Sequence, residues 1–282
     1  MNKLKLKQQL EHFFIEDIGY QDLTTESIFD ERHGKIIVIS KSEGYFCGED
    51  IITYGFKLFN PTIDVNVSVH DGENIYLGQT LAQIVGPIIE LLQAERVILN
   101  LIQRLSGITT KTKMATELLN GSPTKITDTR KTTPGLRMLE KYAVKQGGGS
   151  NHRFGLDDAV MIKDNHINFC GSISDAVHKV RDHVGHMVKI EVEAENQEQV
   201  KEAVSAKADC ILLDNMTPQE ISNSLKLIPN SILTEASGGI QLNDLPEYAH
   251  LGLDVISLGC LTHQIESLDI SAEVYFEDRK EI

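Results

Sequence analysis

The stretch DCILLDNMTPQEISNSLKLIPNSILTEASGG, residues 209–239, holds a complete strand–helix–strand unit. DCILLD (209–214) and SILTEAS (231–237) are apolar runs of strand length. Between them, TPQEISNSLKLI begins with Thr217 and Glu220 three positions apart, a capping box, and has Pro218 at the first helical position. Strands that are apolar along their length are covered on both faces. A helix joining two of them makes the pairing parallel.

The same rhythm extends in both directions. Strands are expected at KITDT (125–129), AVMIK (159–163), MVKIEVE (187–193) and DVISLG (254–259). Helices alternate with them: LRMLEKYAVKQ (136–146, ended by GGG), SISDAVHKVRDHV (172–184), NQEQVKEAVSA (196–206) and QLNDLPEYAHL (241–251). The result is an α/β chain of six strand–helix units. Open doubly wound sheets and closed or partly closed barrels share this pattern.

The first hundred residues read differently. Leu6, Leu10, Phe13 and Phe14 share one face of a helix over 4–16. GKIIVIS (34–40) and IDVNVSV (63–69) are β-branched strands. DGENIYLGQTLAQIVG (71–86) sets turn glycines around alternating strands. From Pro87 to about Asn120 the apolar spacing is helical. The glycine of SGI (106–108) is read as a break between two helices.

The whole chain narrows the function. Its 282 residues suit one large domain or two modest ones. A net charge of −14 argues against nucleic acid, whose phosphates need a basic face. No apolar run approaches the ~18 residues of a membrane span. The start, MNKLKLKQQLEHFF, lacks the apolar core of a signal peptide. Cys47, Cys170, Cys210 and Cys260 are scattered with no CxxC, which fits reduced thiols and a cytoplasmic protein.

Against that charge, the polar residues cluster at strand ends. Arg130 and Lys131 follow the first strand. Lys163 ends the second, with Asp164, Asn165 and His166 after it. Glu193 ends the third, and Asp214 and Asn215 the fourth. Ser237, Gly238 and Gly239 end the fifth, and Ser257 and Gly259 the sixth. In α/β barrels this rim builds the active site. Singly, each is an ordinary loop charge or turn; their convergence carries the reading. Arg130, Lys131, Arg153 and Lys163, with His152, form a cationic group suited to carboxylates and phosphates. Glu193 and Asp214 are a carboxylate pair, placed on non-adjacent strands, that suits Mg²⁺ or ribose hydroxyls. SGG (237–239) and SLG (257–259) occupy the usual phosphate position of barrels, where glycine lets backbone N–H groups approach an anion. His178, His183 and His186 have no metal spacing and read as surface or packing residues.

These residues carry a resemblance. ERVILNLIQRLSGI (95–108), DTRKTTPGLRMLEKYAVKQGGGSNHR (128–153), AVMIKDNHI (159–167), EVE (191–193), ILLDNM (211–216), EASGGI (235–240) and DVISLGCLTH (254–263) resemble the quinolinate phosphoribosyltransferases of NAD biosynthesis. The likeness runs over nearly the whole chain, and Gln264 departs from the small hydroxyl residue expected after LTH. The resemblance implies an N-terminal α/β sandwich domain (1–106, joined by a C-terminal tail, 266–282) and an incomplete α/β barrel (107–265). It implies a homodimer or larger homo-oligomer in which Arg96 of one subunit completes another's site. It also implies substrate contacts from Thr129, Arg130, Lys131, His152, Arg153 and Lys163. Glu193 and Asp214 are implied for ribose and metal, directly or through the substrate. Ser237, Gly238, Gly239, Ser257, Leu258, Gly259 and the nearby His263 are implied for the 5′-phosphate. Lys131, Lys163, Glu193 and Asp214 are the implied catalytic residues, and Mg²⁺ the implied cofactor. The substrates would be quinolinate and phosphoribosyl pyrophosphate. Lys131, Lys163 and His152 stay open as the proton donor. Alternative readings are a paralogue with another acceptor base, a non-catalytic sensor of a phosphorylated metabolite, and a barrel aldolase or isomerase using Lys163 as a Schiff base.

Overall fold

The computed structural model describes residues 1–30 and 32–276. They form two compact units, Met1–Lys111 with the returning C-terminal segment, and Thr112–Gln264. Residues 277–282 of the tail named above lie outside the described residues.

The first unit starts with helix α1 (Lys3–Ile18), capped by Asn2, whose side chain accepts from Leu4 N and Lys5 N. Then come α2 (Thr25–Ile28), β1 (His33–Ser40), β2 (Gly44–Tyr45), α3 (Glu49–Phe59), β3 (Asp64–Val67), β4 (Asn74–Ile75), β5 (Thr80–Pro87) and the long helix α4 (Ile88–Leu118). A last strand, β12 (Ile270–Phe276), completes a four-stranded sheet in the order β12-β1-β5-β3. All three pairings are antiparallel. The period of two in HGKIIVIS turns Ile36, Val38 and Ser40 to the buried side. Leu6, Leu10 and Phe14 of α1 and Ile51, Ile52 and Phe56 of α3 are buried as well. Phe14 meets Phe59 edge-on, with ring centroids 4.8 Å apart. Sheet and helices together make the expected α/β sandwich.

The expected break at SGI is absent: α4 runs unbroken from Ile88 to Leu118. Gly107 serves packing instead. A Cβ built there would lie 2.1 Å from the carbonyl oxygen of Glu266. Glycine admits the 266–267 backbone against the helix, which any side chain would push away. Gly107→Ala therefore sets two effects against each other. Helix propensity favours alanine by about 1 kcal/mol, whereas overpacking against backbone costs about 1–3 kcal/mol or more. The clash is the larger, so thermal unfolding of the variant is expected at a lower midpoint. A higher midpoint would show that the close approach is not limiting.

In the second unit, strands and helices alternate. They are β6 (Lys125–Thr127), α5 (Arg137–Gln146), β7 (Val160–Ile162), α6 (Asp164–Cys170), α7 (Ile173–His183), β8 (Ile190–Ala194) and α8 (Gln197–Ser205). After them come β9 (Cys210–Asp214), α9 (Pro218–Leu225), β10 (Leu233–Ser237), a 3-10 turn (Leu242–Asp244), α10 (Leu245–Tyr248), β11 (Val255–Ser257) and α11 (Cys260–His263). The capping box of α9 forms as read: Thr217 N donates to Glu220 Oε2 at 2.8 Å and Glu220 N to Thr217 Oγ1 at 3.3 Å. Helix α6, which the pattern did not mark, begins directly after Lys163 and buries no residue.

The six strands lie in the order β6-β11-β10-β9-β8-β7, every pairing parallel. The first strand thus sits beside the last. The C-terminal ends of all six strands line one cavity, so the sheet curls round on itself into a barrel left open between β6 and β7. The strap 147–153 lies along the open side of β6. Ser150 N donates to Ile126 O (2.8 Å), and Thr127 Oγ1 donates to Ser150 O (3.0 Å). Glycine and short polar residues thereby replace part of a missing strand ladder.

Candidate active site

The C-terminal ends of these strands surround a cavity of about 590 Å³. Thr129, Arg130, Lys131, His152, Arg153, Lys163, Glu193, Asp214, Ser237, Gly238, Gly239, Ser257, Gly259 and His263 all line it. The fold thus brings the strand-end residues, and those the resemblance added, to one cavity. Two named residues fall elsewhere. Leu258 is buried at 1% exposure and belongs to the core. Arg96 belongs to the first unit, on α4, exposed and 3.5 Å from Glu95.

One cavity wall is cationic. Lys131 is fixed through its backbone: its N–H donates to Thr129 Oγ1 (3.0 Å) and its carbonyl accepts from Thr262 Oγ1 (2.8 Å). Arg153 reaches back through one terminal nitrogen to Ala159 O at 2.9 Å. Burial, and then the charge of Arg130, lower the Arg153 pKa. The Nε atoms of Arg130 and Arg153 are buried with no acceptor among the described residues. Both residues line the cavity, and a guanidinium's planar fork suits a carboxylate.

The opposite side carries Glu193 and Asp214. Their strands, β8 and β9, are neighbours in the sheet. This corrects the expectation of non-adjacent strands, because chain order and sheet order coincide from β7 to β11. Lys163 Nζ donates to Glu193 Oε2 at 2.7 Å. The Asp214 carboxyl is raised, first by burial and then by the charge of Glu193, with Lys163 offsetting part. Asn215 Nδ2 holds Asp214 Oδ2 at 2.6 Å.

The third part is backbone. Gly238 and Gly239 have φ of +94° and +68°, and Asn215 has +54°. The left-handed turn follows from the SGG sequence and presses the backbone of Gly238 against Asn215. Gly259 faces His263 and Lys131: a Cβ there would lie 3.1 Å from His263 Nε2 and 3.1 Å from Lys131 Cδ.

Beneath these groups lies a cluster that the sequence reading did not pick out. His152 Nε2 is 3.0 Å from Glu191 Oε2 and 3.6 Å from Glu235 Oε1. His152 Nδ1 accepts the Arg153 N–H at 2.8 Å, so the neutral ring carries its hydrogen on Nε2, facing Glu191. Burial opposes charge on His152, but Glu191 and Glu235 outweigh it and the pKa is raised. Glu235 is pushed up to about 7 by burial and then by Glu191, with His152 and the Ser257 hydroxyl offsetting part. The missed signal was period two. Glu191 stands two residues before Glu193, and Glu235 two before Ser237, so each shares a face with a site residue.

Glu235 has a measurable consequence. Between about pH 4.5 and 7 the folded protein keeps a proton there that the unfolded chain releases. The native state binds more protons, so stability falls as pH rises through this window. Glu235→Gln should remove that fall. The variant's stability is expected to gain on the wild type's as the pH rises from 4 to 8, read from thermal unfolding across pH. Parallel curves for the two proteins would mean that Glu235 holds no such proton.

A barrel rim that sets cations against a carboxylate pair and a glycine-lined turn suits an enzyme that binds anionic small molecules. The comparisons with known proteins agree. Residues 22–106 match the model of the quinolinate phosphoribosyl transferase N-terminal domain, and residues 108–273 that of its C-terminal domain. The chain belongs to the quinolinate phosphoribosyl transferase family. It is 54% identical over 274 residues to a probable nicotinate-nucleotide pyrophosphorylase (carboxylating) of Bacillus subtilis, covering 97% of this chain and 95% of that one. The rat nicotinate-nucleotide pyrophosphorylase (carboxylating) is 37% identical over 246 residues, covering 86% and 82%. The crystal structure of NadC from Streptococcus pyogenes superposes with a TM-score of 0.94 at 36% identity, covering 99% of both chains. Among the described residues, no helix is long and apolar enough to cross a membrane.

Proposed function

We propose that this chain transfers the phosphoribosyl group of phosphoribosyl pyrophosphate to quinolinate with decarboxylation. The products are nicotinate mononucleotide, pyrophosphate and CO₂, a step of NAD biosynthesis, and a cytoplasmic enzyme fits it. The carrying observation is that Arg130, Lys131, Arg153 and Lys163 share one cavity with the 237–239 turn. The relatives' names supply the substrate. A site for a dicarboxylate and a doubly phosphorylated sugar must concentrate positive charge, even in an acidic protein.

In this mechanism Arg130 and Arg153 grip the acid's carboxylates and hold the ring nitrogen toward the ribose. The backbone of 237–239, with Ser257 and Gly259, receives the 5′-phosphate. Glu193 and Asp214 face the ribose, where their negative charge favours the oxocarbenium character developing at C1. The same two carboxylates fit Mg²⁺: they are oxygen ligands on adjacent strands, and Glu193 raises the Asp214 pKa, a repulsion that a cation would relieve. Bound there, Mg²⁺ would neutralise charge on the departing pyrophosphate. Once the ring nitrogen is alkylated, the C2–carboxyl bond breaks, its electron pair stays on C2 as a carbanion stabilised by the adjacent positive nitrogen, and a proton then bonds to it as CO₂ leaves. Lys131 lines the cavity. Lys163 is engaged with Glu193, and His152 Nε2 with Glu191. Lys131 is thus the donor best placed to give that proton.

The test is turnover of quinolinate, and of nicotinate in parallel, with Mg²⁺ and phosphoribosyl pyrophosphate. Nicotinate mononucleotide with equimolar CO₂, from quinolinate alone, is the expected result. Product from neither acid would overturn the reading in favour of a paralogue or sensor.

We also propose that the protein is a homodimer or larger homo-oligomer in which Arg96 serves a neighbouring subunit's cavity, as the family resemblance implies. Arg96→Ala and Asp214→Asn, each inactive alone, should then regain activity when their subunits are mixed and allowed to exchange. No regain after verified exchange would place Arg96 outside the site.

A further inference from the structure

Asp128 and Lys141 form an ion pair with both side chains fully buried. Neither lines the cavity. Burial holds the Asp128 carboxyl above its usual range and the Lys141 ammonium below its own. A pair so placed adds little stability over apolar residues of similar shape, because desolvation offsets the attraction. Its remaining hydrogen bonds suggest another role.

They converge on one short segment. Asp128 Oδ1 accepts the His152 N–H at 2.9 Å. Lys141 Nζ donates to the His152 carbonyl at 2.9 Å. Both backbone polar groups of His152 are thus held by the two members of the pair. Asn151 Nδ2 donates to Asp128 Oδ2 (2.6 Å) and to Lys141 O (2.8 Å). The ammonium also sits 5.1 Å from the centroid of the Phe154 ring. From His152 the chain of contacts continues outward: its Nδ1 accepts the Arg153 N–H, and the Arg153 guanidinium enters the cavity wall.

The location gives this meaning. The strap bridges the edge of β6 that no strand covers, and Arg153 at its end donates to Ala159 O just before β7. Asp128 directly follows β6 and Lys141 lies on α5, so rigid elements on either side anchor the strap. We propose that Asp128 and Lys141 are positioning residues for the acid-binding cations: the buried pair locks the backbone of His152 and thereby aims Arg153 at the carboxylates of the substrate. This rests on the quinolinate reading above and adds a role outside the cavity to it.

The test uses full-length protein carrying Asp128→Asn with Lys141→Met, which removes both charges together and leaves no lone buried ion. The KM for quinolinate should rise at least about tenfold, while the KM for phosphoribosyl pyrophosphate stays within about threefold, because only one substrate's clamp is misaligned. In an Arg153→Ala background the added effect of the pair on quinolinate should largely vanish, as expected of groups acting through one residue. Should the double variant fail to fold, Asn151→Ala leaves the ion pair in place and removes only the amide's two bonds. It should raise the quinolinate KM by about threefold and leave the other unchanged. Equal shifts in both KM values, no shift in either, or effects that simply add to Arg153→Ala would overturn the proposal. A wild-type protein that cannot use quinolinate would overturn the substrate reading and this proposal with it. Wild-type turnover with an unselective variant would overturn this proposal alone.

Discussion

Arg130→Ala is expected to raise the KM for quinolinate by about thirtyfold or more and to leave the KM for phosphoribosyl pyrophosphate nearly unchanged. Arg130 sits three residues beyond β6, and its Nε is buried without an acceptor among the described residues. Truncating one side of a buried, hydrogen-bonded charge pair costs on the order of 2–5 kcal/mol, which spans about one and a half to three and a half decades of affinity. Arg130→Lys should recover little of it, because an ammonium restores the charge and not the planar fork. Steady-state kinetics with each substrate varied in turn makes the distinction. An alanine variant with unaltered quinolinate KM would show that Arg130 shapes a loop and does not grip the acid.

Gly238→Ala should be equally damaging on the other side of the cavity. The added Cβ would lie 2.4 Å from Asn215 Oδ1 and 2.6 Å from Asn215 N, at a φ of +94° that L-residues rarely adopt. Relief requires Asn215 to move. Asn215 is itself at positive φ, accepts no such displacement cheaply, and holds Asp214. One methyl group would therefore disturb the backbone proposed to receive the phosphate and the carboxylate proposed to face the ribose together. Misplacement by about 1 Å can cost about a hundredfold in rate, so kcat/KM for phosphoribosyl pyrophosphate should fall at least that far. Calorimetric binding of quinolinate alone should persist within a few-fold. Retained kcat/KM would mean that this turn does not receive the phosphate.

The alternation of strand and helix was readable because each unit announces itself locally. DCILLD and SILTEAS are apolar runs, and Thr217, Pro218 and Glu220 mark where the helix starts. The strand-end residues were readable for the same reason: a barrel converts position along a strand into height above the core. What failed was non-local. Gly107 carries the sequence signature of a helix break, and only the approach of residues 266–267, far along the chain, shows why it is glycine. Glu193 and Asp214 were separated because sheet order is not written in any one segment. Glu191 and Glu235 were given no role, since nothing local says that a barrel interior will carry a buried polar layer. Helix α6 has no buried face and hence no apolar period to detect.

The sheet order also has a consequence for assembly on the ribosome. Strand β6 finds its sheet partner only in β11, whose residues lie about 130 positions later, and β1 gains its second neighbour only from β12, more than 230 positions later. Contacts this distant carry a high loop-closure entropy and slow the folding reaction. Until residues 270–276 have been made, β1 presents an unpaired edge containing Ile36, Val38 and Ile39, the kind of edge that recruits other chains. A nascent chain stopped before residue 270 should thus depend on chaperones or aggregate, and Arg130 and Lys131 would be among the last cations to reach their places.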